Sequence, residues 1–467
     1  MARNPSQSQS LLLSALARLA PASAAGLAQA LGVSVPTLHR MLQALPPGQL
    51  VAAGRARRAR YALRRPVHGV AAPLPVYAVD ETGRAELLAP LAALHPQGCL
   101  LDLAGSGWPV PDESRDGWWP GLPYPLYDMR PQGYMGRLFA RAEHQALGVS
   151  PDPQAWTDDD VLHVLSRRGW DGSGNLIVGD GAYALWQSAR LALAPPLQPG
   201  ETPSAYAGLA GQAVATGVPG SSAAGEFPKF AARRALPGGE DGEASATPHV
   251  LVKFSGADPS PTVRRWADLL VCEHLALQQA RLLPGVDAAR SRVLSHGGRT
   301  FLEVERFDRH GEHGRSPLCT LETVNAALVG DAARDWTQLA RRLRDAGWLD
   351  DDAVAAIDRL WWFGRLIANT DMHCGNLSFR PQGGRLRLAP AYDMLPMLHA
   401  PLAGGEVPAR SFEPPLPLPP QRPAWLEACV AALAFWDTAA ADARIGATFR
   451  ALCADHGAQL RRVATHA

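Results

Sequence analysis

Asn369-Thr370-Asp371-Met372-His373-Cys374-Gly375-Asn376-Leu377-Ser378-Phe379, followed by a short basic segment and then Leu388-Ala389-Pro390-Ala391-Tyr392-Asp393-Met394, decides how this chain is read. Three oxygen-bearing side chains punctuate it: Asp371, Asn376 five residues on, and Asp393 downstream. Hard divalent cations take such oxygens as ligands. The apolar, Trp-rich run before Asn369, LWWFGRLIA, predicts a buried helix that delivers a polar loop to a cleft. Leu377 to Phe379 and Leu386 to Leu388 alternate around Pro381-Gln382-Gly383-Gly384, which predicts a hairpin with Asp371 and Asp393 at its opposite ends.

D-x-x-x-x-N followed by a further Asp is the layout of a phosphotransferase catalytic loop. The first Asp orients the acceptor hydroxyl, and the Asn and second Asp hold the Mg²⁺ that bridges the ATP phosphates. The spacing alone is weak, since two polar loop residues five apart are common. Thr370-Asp371-x-His373-x-x-Asn376 together with Pro390-x-Tyr392-Asp393 is far more specific, and here the sequence resembles the HipA family of bacterial serine/threonine kinase toxins. Asp371, Asn376 and Asp393 are then the catalytic set, with Asn376 and Asp393 as metal ligands. His373 is read as a brace for the loop rather than a base.

Lysine usage gives an independent line. Of 45 basic residues only Lys229 and Lys253 are lysine. A chain that otherwise uses arginine keeps lysine where a compact ammonium is required. Lys253 lies in an alternating stretch, Thr247 to Ser255, that predicts a strand, and Glu273 on a predicted helix from Val263 to Ala280 is its candidate partner. Lys229 closes the Gly-rich stretch Gly220 to Lys229, whose backbone N–H groups can approach phosphates.

The resemblance implies that Lys253 contacts the α- and β-phosphates of ATP and that Ser222, Gly225 and Lys229 form the phosphate loop, with Ser222 also the autophosphorylated serine. Glu226-Phe227-Pro228 departs from the family pattern by placing an acid near ATP. The segment FLEVERFDR, Phe301 to Arg309, resembles the linker between kinase lobes, and the resemblance implies that Glu305 and Phe307 line the adenine pocket, partly through their backbone.

At 467 residues the chain is too long for one compact core. Residues 1 to 79 hold nine arginines and no acid, so the remaining 36 basic and 44 acidic residues give the rest of the chain a net charge of −8. A basic head on an acidic body suits a polyanion partner. Ser8 to Leu19, Ala22 to Leu31 and Val35 to Leu45 predict three helices, with Gly32 as a break and Ser34 as a cap. Gln49 to Ala53 and Arg60 to Leu63 predict a two-stranded wing. The pattern is that of a winged helix-turn-helix, with Ser34, Thr37, His39 and Arg40 facing a major groove and Arg55, Arg57, Arg58 and Arg60 on phosphates or the minor groove. A winged helix used only for protein contact or dimerisation is the alternative, against which the six arginines from Arg55 to Arg65 weigh.

Six scattered cysteines without a C-x-x-C pair predict a reduced, cytosolic protein with no zinc site. No apolar run of membrane-spanning length is expected, and Leu11 to Leu13 are followed by Ser14 and Arg18 without a cleavage pattern.

The expected architecture is α+β, a two-lobed HipA-like, protein-kinase-like fold with an N-terminal winged helix-turn-helix. Its expected parts are residues 1–66 as the DNA-binding head, 67–199 as an N-terminal subdomain, 200–310 as an N-lobe and 311–467 as a helical C-lobe. The resemblance implies ATP and Mg²⁺ as cofactors. The expected partners are DNA through residues 1–66, an acceptor protein in translation such as an aminoacyl-tRNA synthetase, an antitoxin and a second copy of the chain. Two other classes stay open: a transcriptional regulator that senses nucleotide, and a metal-dependent enzyme acting on DNA through the same three oxygen ligands.

Overall fold

The computed structural model describes residues 5–192, 194–216, 226–236 and 246–466. They form two compact units. The first comprises residues 1–79, 85–130 and 143–192, and the second comprises 80–84, 131–142 and 193–467. The Gly-rich stretch carrying Ser221, Ser222 and Gly225 lies outside the described residues.

The first unit opens with three helices: α1 (Pro5–Leu19), α2 (Ala24–Leu31) and α3 (Val35–Gln43). Ala22 and Ser23 are not helical as expected. They form a short strand, β1, and Ser23 caps α2 by accepting the Gly26 N–H at 3.1 Å. Gly32 ends that helix in the left-handed conformation, and Ser34 caps α3. Leu12, Leu16, Leu27, Leu38, Leu42 and Leu45 form the core of the three helices. Strands β2 (Leu50–Ala53) and β3 (Arg60–Leu63) pair antiparallel, and β3 also pairs with β1. At Gly54, φ is +89° and a Cβ would stand 2.4 Å from the Arg58 carbonyl oxygen, so the tip of this hairpin requires glycine.

The expected boundary at residue 66 is not a boundary of packing. Val51 and Ala62 from the hairpin share one buried cluster with Ala92, Leu94 and Trp118. Those three belong to or adjoin a five-stranded sheet built from β4 (Leu74–Val79), β5 (Ala85–Ala93), β6 (Cys99–Leu100), β7 (Trp118–Trp119) and β8 (Leu176–Val178), in the order β7-β6-β5-β4-β8. The hairpin spends one face on this sheet because its small and β-branched residues alternate inward.

The second unit contains a four-stranded antiparallel sheet, order β11-β12-β10-β9, made of β9 (Lys229–Arg233), β10 (His249–Phe254), β11 (Ser291–His296) and β12 (Arg299–Glu305). Val250, Val252 and Phe254 of β10 bury one face against Tyr206 and Ala210 of helix α4 (Thr202–Thr216). By the alternation of a strand, Lys253 projects to the other face, where it meets helix α5 (Pro261–Ala280).

The rest is mostly helical. Helices α6 (Leu321–Leu328), α7 (Trp336–Asp345) and α8 (Asp351–Leu366) precede residues 369–393, and α9 (Arg422–Ala441) and α10 (Ala447–Ala464) follow them. Strand β13 (Cys319–Thr320) pairs with β14 (Ser378–Gln382), which pairs with β15 (Arg385–Leu388). The hairpin turn is two residues rather than four: Pro381 and Gln382 pair with Leu386 and Arg385, and Gly383 and Gly384 turn at φ +59° and +77°.

One expectation about apolar runs is corrected. Among the described residues, Pro419–Ala441 is long and apolar enough to cross a membrane. Within the unit, its Trp425, Ala428, Ala432, Phe435 and Trp436 are buried. All six cysteines are free and buried.

Candidate active site

The chain's two lysines stand directly opposite each other on β9 and β10, with Lys229 in register with Lys253, so both side chains leave the same face of the sheet. Like charges so placed repel, and carboxylates gather around them. Lys253 Nζ donates to both oxygens of Glu273, at 2.7 and 2.8 Å, and to Asp393 Oδ1. Burial works against the ammonium, but Asp393 and Glu273 outweigh it and hold the Lys253 pKa above its usual value. Burial pushes the Glu273 carboxyl up to about 7, with Lys253 working against it. At Asp393 burial is outweighed by Lys253 and Lys229, which hold its carboxyl below the usual range.

Asp393 is delivered by a pinned backbone. The Ala391 N–H donates to the Asp287 carbonyl at 2.8 Å, and the Ala289 N–H donates to the Ala391 carbonyl at 2.9 Å. Asp393 itself sits at φ +55°, in a region that Asp tolerates better than most side chains but that is held by its surroundings. Asn369, buried at the end of α8, links the two halves of the site. Its Oδ1 accepts the Asp371 N–H at 3.0 Å, and its Nδ2 donates to the Asp393 carbonyl at 3.3 Å.

Asn376 donates Nδ2 to the Asp371 carbonyl at 2.8 Å, which leaves the amide oxygen as the end available to a cation. That oxygen and the Asp393 carboxylate are hard ligands suited to Mg²⁺ completed by water and phosphate. No group of three His, Cys, Asp or Glu side chains that could hold a metal occurs among the described residues. Asp371 is exposed. Partial burial raises its pKa, with His373 opposing and Asp393 adding to the rise.

Sequence reasoning left two contributors without a role. Tyr392 shares a hydrogen bond with Ser378 Oγ at 2.7 Å and donates to the Gly375 carbonyl at 2.6 Å, tying the Asp393 segment to the Asp371–Asn376 loop. Asn369 is the other. Both lie inside the quoted motifs, so the signal was present, but contacts across the hairpin are not written in local spacing. His373 braces the loop: its Nδ1 accepts the Gly375 N–H at 3.1 Å and its carbonyl accepts from Trp336 Nε1 at 3.2 Å.

Glu226, which departs from the family pattern, is neutralised locally. It accepts from the Tyr134 N–H and from Arg137, both at 2.8 Å, and pairs with Lys229 at 3.2 Å. Burial would raise its carboxyl, but Lys229, Tyr134 and Arg137 hold it low.

Glu305 stands at the end of β12. Its carboxylate is tied to Arg234 at 2.7 Å, next to the Arg234–Glu303 pair at 2.6 Å, and its N–H donates to the Arg290 carbonyl at 2.8 Å. Its buried side chain is therefore engaged within the sheet. Phe307 packs on Tyr392 at 5.7 Å and beneath the Arg380 guanidinium.

Beside Asp371 lies a cavity of about 560 Å³, lined among others by Glu322, Arg334, Trp361, Arg365 and His373.

In the first unit the Ser34 and Thr37 hydroxyls are 2.9 Å apart, and Arg40 donates to Thr37 Oγ1 at 3.3 Å. Arg55, Arg57 and Arg60 are exposed at the hairpin tip. Arg58 is exposed as well and lies 3.4 Å from Asp116, whereas Arg65 is paired with Asp159 at 2.6 Å.

Residues 70–187 match the model of the YjjJ-like toxin middle domain, and residues 221–451 match that of the HipA-like C-terminal domain. The chain is 37% identical over 444 residues to Toxin YjjJ of Escherichia coli K12, covering 95% of this chain and 96% of that protein. Among solved structures, a complex of HipA, HipB and operator DNA from Shewanella oneidensis MR-1 is similar at TM-score 0.43 and 17% identity, over 84% of this chain and 97% of that one. The Helicobacter pylori proinflammatory kinase CtkA is similar at TM-score 0.34 and 11% identity, over 51% and 90%.

Proposed function

We propose that this chain, which belongs to the YjjJ-like toxins of the HipA family, is an ATP- and Mg²⁺-dependent serine/threonine protein kinase that also binds DNA through its own head. The observation that carries the kinase reading is the convergence on one cleft of Lys253, Glu273 and Asp393, linked through Asn369 to Asp371 and Asn376. In this reading Lys253 holds the ATP phosphates, and Lys229 adds a second positive charge from the neighbouring strand. Asp371 orients the acceptor hydroxyl and takes its proton. Asn376 and Asp393 would hold Mg²⁺, which when bound neutralises charge on the phosphates. The phosphate loop with Ser222 and Gly225, and autophosphorylation at Ser222, complete the proposal, with a protein of the translation apparatus as acceptor and an antitoxin as a further partner.

The test is a thermal-shift titration with ATP and Mg²⁺ followed by radiolabel transfer from ATP. Asp393→Asn is expected to lose Mg²⁺-dependent nucleotide binding, whereas Asp371→Asn keeps binding and loses transfer. Transfer at the wild-type rate by Asp371→Asn would sink the assignment.

DNA binding in cis is supported by the capped helix α3, which exposes His39 and Arg40, and by the exposed tip arginines Arg55, Arg57 and Arg60.

A further inference from the structure

The cavity beside Asp371 offers charges that the cleft does not use. Arginines on the surrounding helices are neutralised: Arg341 pairs with Asp358 at 2.7 Å, Arg342 with Asp331 at 3.4 Å, Arg344 with Asp345 at 2.9 Å and Arg359 with Glu427. The two that line the cavity, Arg334 ahead of α7 and Arg365 on the last turn of α8, have no carboxylate partner among the described residues. The Arg365 guanidinium rests over the Trp362 ring, 5.1 Å from its centroid, and Trp361 lines the cavity as well. Glu322 lies on the Gly375 side, with its Oε2 3.9 Å from the point a Gly375 Cβ would occupy. Two arginines, Arg334 and Arg365, and two carboxylates, Glu322 and Asp371, therefore line the cavity.

We propose that this cavity is the acceptor site of the kinase reading given above, on which the inference rests. Its occupant is a Ser- or Thr-bearing peptide segment with a carboxylate close to the hydroxyl, read by Arg334 and Arg365. Glu322 disfavours a second acid on the opposite side of the hydroxyl. A bidentate guanidinium is the group of choice for a carboxylate, and two guanidinium groups lining one cavity give the segment a preferred orientation. With the acid held there, the hydroxyl lies at Asp371. The acceptor oxygen forms a bond to the γ-phosphorus of ATP as the bond from that phosphorus to the β–γ bridging oxygen breaks. The electron pair leaves on ADP, and the hydroxyl proton passes to the Asp371 carboxylate.

The experiment uses the full chain and an array of single-serine peptides carrying Asp, Ala or Lys at each of the three positions on either side, with ³²P transfer from Mg-ATP as readout. Peptides with Asp on one side are expected to exceed the Ala series by tenfold or more in kcat/KM, mainly through KM. An Arg334→Glu/Arg365→Glu double variant should reverse the order, so that Lys at the same position rescues. In parallel, fluorescence anisotropy of a labelled Asp-containing peptide on full-length Asp371→Asn protein reads binding without transfer, and the charge reversal should abolish it. Transfer without acid preference, or a preference untouched by the double variant, overturns this inference and leaves the kinase reading standing. Acid-dependent binding with no transfer by wild-type protein removes the kinase reading and keeps the pocket. Neither binding nor transfer rejects both.

Discussion

At the scale of single residues, Lys253 combines two demands that arginine cannot meet together. Its ammonium sits between Glu273 and Asp393 in a buried space where three contacts converge on one nitrogen. A planar fork spreads its donors over several ångströms and brings more volume. Lys253→Arg therefore keeps the charge but should lower phosphoryl transfer on the order of a hundredfold, as measured by single-turnover kinetics at saturating ATP. An unimpaired variant would mean that the retained lysine is incidental. This part of the site was legible because lysine is rare in the chain. The Arg234–Glu303–Glu305 cluster was not, since Arg234 is one arginine among many and its strand partners are fixed only by pairing.

A second residue-scale prediction concerns His399 and His456. They stack at 4.9 Å, with their Nε2 atoms 2.9 Å apart, against Phe412, Trp436 and Phe449. Burial pushes His399 down to about 3, with His456 adding to the fall, and burial pushes His456 down to about 4. In the unfolded chain both titrate near 6.5. Between those values the unfolded state binds protons that the folded state refuses. Stability is thus full above about pH 6.5 and falls as pH drops toward 4, by a few kcal/mol in all. Tm measured from pH 7.5 to 4.5 should show this slope, and His399→Leu/His456→Leu should flatten it.

At the scale of elements, the hairpin β14–β15 sets the distance between the loop that carries Asp371 and the segment that carries Asp393, and Tyr392 clips one to the other. Tyr392→Phe removes the hydroxyl that meets Ser378 and the Gly375 carbonyl and should cost about 1–2 kcal/mol. Turnover should fall more than ATP affinity, because the hydroxyl makes no contact with Lys253 or with its Glu273 and Asp393 partners; equal losses in both would show that Tyr392 supports the whole cleft. Gly384→Ala, at φ +77°, should cost about 1–2 kcal/mol from backbone strain alone. The strands themselves were readable from alternation, whereas the turn was placed two residues too long because Pro381 is a poor strand residue by propensity. Its pairing with Leu386 at the end of the ladder is a tertiary outcome.

At the scale of the molecule, composition divided the chain by charge, and packing divides it elsewhere. The basic head was legible from nine arginines without an acid. That its hairpin shares a buried cluster with Leu94 and Trp118 was not, because contact between segments 30 or more residues apart leaves no local trace. The head cut at residue 66 would expose Val51 and Ala62, so DNA binding belongs on the full chain. Affinity for duplex DNA should fall steeply with salt, as counterions released by arginine–phosphate contacts drive it. Arg57, exposed at the tip, should act on phosphate: Arg57→Ala should reduce the slope of log K against log salt by about one and weaken all sequences alike. Arg58, already beside Asp116, should contribute less to that slope. Arg40 is on the exposed face of α3, where a guanidinium can reach base edges, so Arg40→Ala should relax preference at one base pair at a cost of about 1–3 kcal/mol there. Electrophoretic mobility shifts at several salt concentrations, on random and selected duplexes, separate the two behaviours. Binding by the full chain that does not vary with salt would rule out a phosphate-contacting head.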